Sequence, residues 1–350
     1  MKAYKYFCAG NMKLMDIDKP HAGAGQVLVK VLYCGICGTD IHAYNMDGLY
    51  KTELIPGHES VGIVEEIGEG VSCVKVGDRV AVGPPGDCGS CYQCNVGRPN
   101  ICSNAFPNTL GIGPYTQGAF AEYVLSKFPQ NELFKIPDNM QMEQAVLFDV
   151  IGVGFHAVRR SELKLGDNAV VFGCGSVGLS AIQSAKLAGA RNVLAFDQNE
   201  ATHERALMSG ADHVFSGTEE DYERAGEILS HEGGAHVCFE CAGHPAAVKG
   251  CIDLCMAGGQ IIEIGSDNRP YELITAAMGP FEYDIKFSFT YTKEEIYQLF
   301  EMITAGKFRT DMFKTVKAPL EDAEKMIKAQ TEKKIDVARV LLTPNGDFAC

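Results

Sequence analysis

Residues 170–197 read VVFGCGSVGLSAIQSAKLAGARNVLAFD: an apolar run, a glycine-rich turn, a helical stretch and a second apolar run closed by an acid. The turn Gly173-Cys174-Gly175-Ser176-Val177-Gly178 has GxGxxG spacing, and Asp197 lies 19 residues beyond its last glycine. GxGxxG alone occurs by chance in a glycine-rich chain. Between a strand and a helix, with an acid at that distance, it reads as a dinucleotide-binding βαβ unit rather than a structural turn. Gly173 permits the tight turn, Gly175 lets backbone approach a pyrophosphate, and Gly178 lets the helix pack on the strand. The helix N-terminus offers N–H groups and positive dipole to the anion. Asp197 can accept from both adenosine ribose hydroxyls, and its charge would repel a 2′-phosphate. Gln198, Asn199 and Glu200 follow, with no arginine immediately after the acid, so NAD is expected rather than NADP. Ser176, Val177 and Arg205 complete the candidate cofactor-binding set.

The same grammar continues from about residue 150. NAVVFG (168–173), NVLAFD (192–197), DHVFSG (212–217), AHVCFECAG (235–243) and GQIIEIG (259–265) are short, buried-type strands. Helical stretches such as GLSAIQSAKLAG (178–189) and PAAVKGCIDLCMAG (245–258) lie between them, which predicts an α/β domain with a doubly wound parallel sheet. The first ~150 residues instead read as β-rich, with runs such as QVLVKVLYCG (26–35), SVGIVEEIG (60–68) and DRVAVG (78–83) between Gly and Pro turns. The tail has two amphipathic helices, EEIYQLFEMITAG (294–306) and LEDAEKMIKAQ (320–330), then the strand-like VARVLLTP (337–344). A chain of 350 residues is long enough for two domains. The expected division is 1–150, then 151–285 for the nucleotide domain, with 286–350 returning to the first domain.

With 31 basic against 45 acidic residues the formal charge is −14, so a nucleic-acid or anionic membrane partner is not expected. No run of eighteen apolar residues occurs, and MKAYKYFCAGNMKLMDIDKP lacks the apolar core of a signal peptide. The expectation is a cytoplasmic enzyme-sized protein. Its 14 cysteines are then thiols, metal ligands or nucleophiles rather than disulfides. Cys174, Cys238, Cys241, Cys251 and Cys255 fall in apolar runs and read as buried thiols.

Two further constellations carry chemistry. Cys88-Gly-Ser-Cys91-Tyr-Gln-Cys94 is followed after seven residues by Cys102, and four thiolates at such intervals can wrap a tetrahedral metal. Zinc suits them best, in a closed shell with a structural role; disulfides and an iron–sulfur cluster are the alternatives. The other is Cys34-Gly-Ile-Cys37-Gly-Thr39-Asp-Ile-His42, with Gly57-His58-Glu59 starting 20 residues after Cys37. Cys, His and Glu are borderline ligands that suit zinc. A CxxC redox pair is the competing reading, but such a motif should open a helix, whereas this one ends an extended run.

In this order and spacing the chain resembles a zinc-dependent member of the medium-chain dehydrogenase/reductase family, the alcohol dehydrogenase superfamily. The resemblance covers nearly all of the sequence. GHESVGIVEEIGEGV (57–71) fits the family's zinc signature, while CGTDIHAYNMDG (37–48) is most similar to L-threonine 3-dehydrogenases, and the general pattern also suits sorbitol and butanediol dehydrogenases. The resemblance implies a GroES-like catalytic domain beside the Rossmann domain. It places a catalytic zinc on Cys37 and His58, with Glu59 a direct or exchangeable ligand, and Asp149 in VLFDVIGVGFHAV (146–158) as the remaining ligand. Two zinc ions per chain are therefore expected, one catalytic and one structural.

Resemblance further implies oxidation of a secondary alcohol (an amino alcohol, vicinal diol or polyol) to a ketone, with hydride passing to NAD. Thr39 would carry the hydroxyl proton outward and His42 would be the next relay member, its imidazole suited to neutral pH. Asp40 reads either as a support of that relay or as a solvated loop acid. Glu59 is expected to yield when substrate enters, because a thiolate and one carboxylate already neutralise Zn²⁺. KFSFTYTKEE (286–295) lacks the arginine expected of a sorbitol-type pocket, which lowers the polyol reading. The alternative is a catalytically inactive zinc- and NAD-binding sensor or scaffold. A homodimer or homotetramer is expected by resemblance.

Overall fold

The computed structural model describes residues 1–84, 87–266, 269–332, 334–335 and 337–346. The chain divides into two compact units, one of Met1–Asp149, Thr292–Lys307 and the residues from Lys314 on, the other of Val150–Tyr291 and Phe308–Phe313.

The first unit is organised by the strand Val27–Gly35, eight of whose nine residues are buried. It pairs antiparallel with Ser60–Ile67, Tyr123–Ser126 and Arg339–Thr343. Beyond these lie Arg79–Val82 and Leu133–Lys135 on one side and Thr315–Pro319 on the other, making a seven-stranded sheet among the described residues. Val27, Val29, Val31 and Cys34 meet Phe120, Val340 and Leu342 in its core. Two registers matter for function. Cys34 lies opposite Ser60, which puts the end of one strand beside His58 and Glu59. The same Cys34 lies opposite Leu342, which brings the start of the last strand, Arg339, to that place.

The second unit has a parallel sheet in the order His213–Phe215, Asn192–Phe196, Asn168–Phe172, Ala235–Glu240, Cys255–Glu263, Asp284–Phe287, the 3-2-1-4-5-6 order of a doubly wound fold. All five residues of Asn168–Phe172 are buried, as a central strand covered on both faces requires. Val170, Phe172, Leu194 and Phe196 form one layer against Ala225, Leu229, Cys251 and Leu254 of two covering helices. Cys174, Cys238, Cys251 and Cys255 are buried thiols, while Cys241 is half-buried.

Two boundaries differ from expectation. The helix predicted over 245–258 ends at Leu254, and Cys255 already pairs with Ala235 in the sheet. The positive φ of Gly258, +75°, belongs to that extended, irregular start. The return expected at 286 falls inside the strand Asp284–Phe287, whose Lys286 pairs with Ile262. Sheet pairing holds these residues in the second unit, and the chain leaves it at Thr292. There the Thr292 hydroxyl accepts from the Glu295 N–H at 3.3 Å and the Glu295 carboxylate accepts from the Thr292 N–H at 2.8 Å. This reciprocal cap starts the helix Lys293–Thr304.

Candidate metal centres and nucleotide turn

Cys37 is the residue on which the helix Gly38–Asn45 begins, two positions after the strand Val27–Gly35 ends. The CxxC therefore does open a helix, contrary to the sequence reading. Cys34 is nonetheless fully buried and burial pushes its thiol well above the ordinary value, so it cannot supply a thiolate for exchange. Asp40 is not a solvated acid. It is 2% exposed, accepting from the Cys37 N–H at 2.8 Å and from the Tyr50 hydroxyl at 2.7 Å.

His58 and Glu59 follow Gly57, whose φ is +94°. A Cβ at Gly57 would lie 2.5 Å from the Phe120 ring and 2.9 Å from Cys34 Sγ, so no larger residue delivers the chain to this point. His58 is buried, and its Nδ1 has no hydrogen-bond partner among the described residues; Nε2 lies 3.7 Å from Glu59 Oε1. Glu59 is 0% exposed, and both of its oxygens accept from the guanidinium of Arg339, itself 6% exposed. Arg339 also donates to the Ile36 carbonyl at 3.2 Å. Burial pushes the Glu59 carboxyl up, and the guanidinium pulls against it.

One donor atom each from Cys37, His58 and Glu59 lies within 4.8 Å of the others. A thiol, an imidazole with a buried unpartnered nitrogen and a carboxylate fit a zinc ion. Asp149, in the first turn of the helix Phe148–Arg160, stands outside that group, although its charge acts on both Glu59 and Arg339. The half-buried Thr39 places its hydroxyl 3.7 Å from Cys37 Sγ. His42, exposed, lies three residues further along the same helix, a spacing that makes the two side chains neighbours on its surface.

The second cluster is Cys88, Cys91, Cys94 and Cys102. Cys91 Sγ lies 3.6 Å from Cys94 Sγ and 3.7 Å from Cys102 Sγ, and Cys102 Sγ lies 3.6 Å from Cys88 Sγ. Four sulfurs each ~2.3 Å from a central zinc would be about 3.8 Å apart, so the set is sized for one ion. Hydrogen bonds led by the Asn104 amide bring Cys88 down to about 5, while burial pushes Cys94 up to about 12.

In the second unit Gly173 has φ +92°, and a Cβ there would meet the Ala242 N at 2.8 Å. A Cβ on Gly178 would lie 1.8 Å from the Gly173 carbonyl oxygen, so the turn closes on itself only with glycine. At Gly175 a Cβ would meet nothing within 4 Å: the backbone faces open space where the helix Ser176–Leu187 begins. That opening, at the N-terminus of a helix, fits a pyrophosphate. Asp197 accepts from the Cys174 N–H at 2.7 Å and from the Asn199 N–H at 2.8 Å, one bond per oxygen. Each oxygen keeps capacity for a ribose hydroxyl. The half-buried Arg205 is close enough for its charge to act on Cys174.

Sequence reasoning missed Arg339 and Tyr50. The first had a signal, since a lone arginine inside the apolar run VARVLLTP must find a buried partner. Tyr50 had none.

Residues 23–138 match the family described as alcohol dehydrogenase GroES-like domain, and residues 176–305 that described as zinc-binding dehydrogenase. The chain is 32% identical over 351 residues to the sorbitol dehydrogenase of Bacillus subtilis (strain 168), covering 99% of this chain and 98% of that protein. It is 38% identical over 261 residues to the L-threonine 3-dehydrogenase of the same strain, 73% of each. The crystal structure of 2R,3R-butanediol dehydrogenase from Bacillus subtilis is similar with a TM-score of 0.87 at 30% identity, covering 98% of this chain and 99% of that one.

Proposed function

The chain belongs to the zinc-binding alcohol dehydrogenase family, and we propose that it oxidises a secondary alcohol reversibly to a ketone with NAD as hydride acceptor. The observation that carries this reading is the Cys37–His58–Glu59 cluster, half-buried at Cys37 and buried at His58 and Glu59, in a chain that also builds the glycine turn before Asp197. These three residues would hold the catalytic zinc, with Asp149 as a further ligand, and Cys88, Cys91, Cys94 and Cys102 a second, structural zinc. A zinc ion at the first set supplies Lewis acidity, which lowers the pKa of an alcohol hydroxyl.

The protein's own groups do the rest. The Thr39 hydroxyl takes the proton that the alcohol gives up and passes one on to His42, whose exposed imidazole delivers it to water. Arg339 gives the Glu59 carboxylate a resting place inside the protein, which supports the reading of Glu59 as a ligand that yields. Gly175 and the start of the helix Ser176–Leu187 seat the pyrophosphate, and Asp197 fixes the adenosine ribose and disfavours a 2′-phosphate. Bound NAD⁺ would supply the hydride acceptor, so that alcohol and NAD⁺ would give ketone, NADH and one proton.

The substrate class is a vicinal diol, amino alcohol or polyol, in keeping with the names of the relatives. A homodimer or homotetramer is supported by the strand Asp284–Phe287, the last in the second unit's sheet among the described residues, with Phe287 67% and, just past it, Phe289 65% exposed. The test is a screen of zinc-loaded protein against secondary alcohols, diols, polyols and threonine with both nucleotides. NADH formation with at least one of them, abolished by a chelator, is the expected result. Tight NADH binding without turnover of any alcohol would leave the sensor reading instead.

A further inference from the structure

Asp40 is a buried carboxylate with two different tasks. Its Oδ2 takes the Cys37 N–H at 2.8 Å, and its Oδ1 takes the Tyr50 hydroxyl at 2.7 Å. Tyr50 is held in turn. It is buried, and its ring meets that of Tyr6 edge-on, with centroids 5.6 Å apart at 88°. Tyr6 is buried in the strand Lys2–Cys8, and its hydroxyl reaches Asp47 Oδ1 at 3.3 Å. A line of contacts thus runs from the first strand through Tyr6, Tyr50 and Asp40 to the backbone of Cys37.

We propose that Tyr50 is a positioning residue for the metal centre: by fixing the second oxygen of Asp40 it fixes the Cys37 backbone, and with it the direction of the thiolate. This rests on the reading of Cys37 as a zinc ligand. The physical reason is torsional. A carboxylate with one N–H partner can turn about its last side-chain bond, whereas one held at both oxygens cannot. The Cys37 N–H then has a fixed acceptor, and Cβ and Sγ follow the backbone frame. Outer partners of metal ligands are typically worth ~10–100-fold in metal affinity.

The test is a double-mutant cycle on the full chain, carrying zinc in the four-cysteine set and titrated with Co²⁺. The readout is the thiolate-to-cobalt absorption of the Cys37 set. Tyr50→Phe keeps the ring against Tyr6 and deletes only the hydroxyl. It should weaken Co²⁺ binding by about tenfold and shift the absorption band, while zinc in the four-cysteine set is retained. In an Asp40→Ala background, or Asp40→Leu if that variant does not fold, the same change should cost less than about twofold, since the acceptor through which Tyr50 acts is gone. Equal affinity and spectrum for Tyr50→Phe and the unsubstituted protein would overturn the role of Tyr50 alone, as would an equal loss in both backgrounds. If the unsubstituted protein takes up no Co²⁺ at Cys37, the reading of the metal centre fails and this proposal with it.

Discussion

Arg339→Met is the perturbation whose size the structure sets most tightly. The guanidinium serves both oxygens of Glu59, and the two residues are 6% and 0% exposed. Methionine fills much of the same volume but leaves a carboxylate in the interior with no countercharge. Breaking a buried ion pair from one side costs about 3–5 kcal/mol, a large part of a total stability of roughly 5–15 kcal/mol. The stranded carboxyl can escape by taking a proton. Its folded pKa then lies far above its unfolded value, so the folded state binds the extra proton and stability falls as pH rises. At pH 5 the loss should shrink to about 1–3 kcal/mol, the cost of an unpaired but neutral polar group. The assay is urea unfolding of metal-free protein at pH 5 and pH 8, followed by circular dichroism because the chain has no tryptophan. Glu59→Leu added to Arg339→Met should recover most of the loss, since a buried pair replaced on both sides by apolar groups is often neutral or stabilising. A loss under about 1 kcal/mol at pH 8, or the same loss at both pH values, would refute the reasoning.

Other consequences are as direct. His42→Ala should lower turnover by about 10² and shift its pH profile while zinc content stays unchanged; an unaltered rate at every pH removes His42 from the proton route. Asp197→Ala should raise the KM for NAD⁺ by about 10–100-fold, the worth of hydrogen bonds to a charged group, and narrow the preference over NADP⁺, both read from steady-state kinetics. Glu132 is fully buried, with its carboxyl pushed up to about 7 by burial although the Ser126 hydroxyl donates to it at 2.5 Å. Its folded value lies above the unfolded one, so it subtracts stability as pH rises from about 4.5 to 7, by up to about 3 kcal/mol. Glu132→Gln should flatten that stretch of the stability-against-pH curve.

What could be read from the sequence follows from where each constraint lives. Gly173, Gly175 and Gly178 declare themselves because a positive φ, an open face and a 1.8 Å conflict are each demanded at single positions within six residues. Cys88, Cys91, Cys94 and Cys102 do so because their metal-ligand spacing is local. The Arg339–Glu59 pair spans 280 residues and exists only because the last strand adds beside Val27–Gly35, a register no local pattern encodes. Tyr50 was invisible for the same reason, since its task is set by a buried oxygen ten residues away. The 286 boundary failed because a short strand at a sheet edge reads no differently from a linker; pairing with Cys255–Glu263 decides its unit. Cys37 opening a helix was missed because it stands only two positions past the end of the strand Val27–Gly35.

The most direct measurement is an anomalous difference map at the zinc absorption edge, from crystals of protein loaded with zinc. A peak within about 2.0–2.3 Å of Cys37 Sγ, a His58 ring nitrogen and a carboxylate oxygen, beside a second among the four cysteine sulfurs, is what the donor chemistry predicts. A peak at the four cysteines alone, with Cys37 and His58 bare, would contradict it.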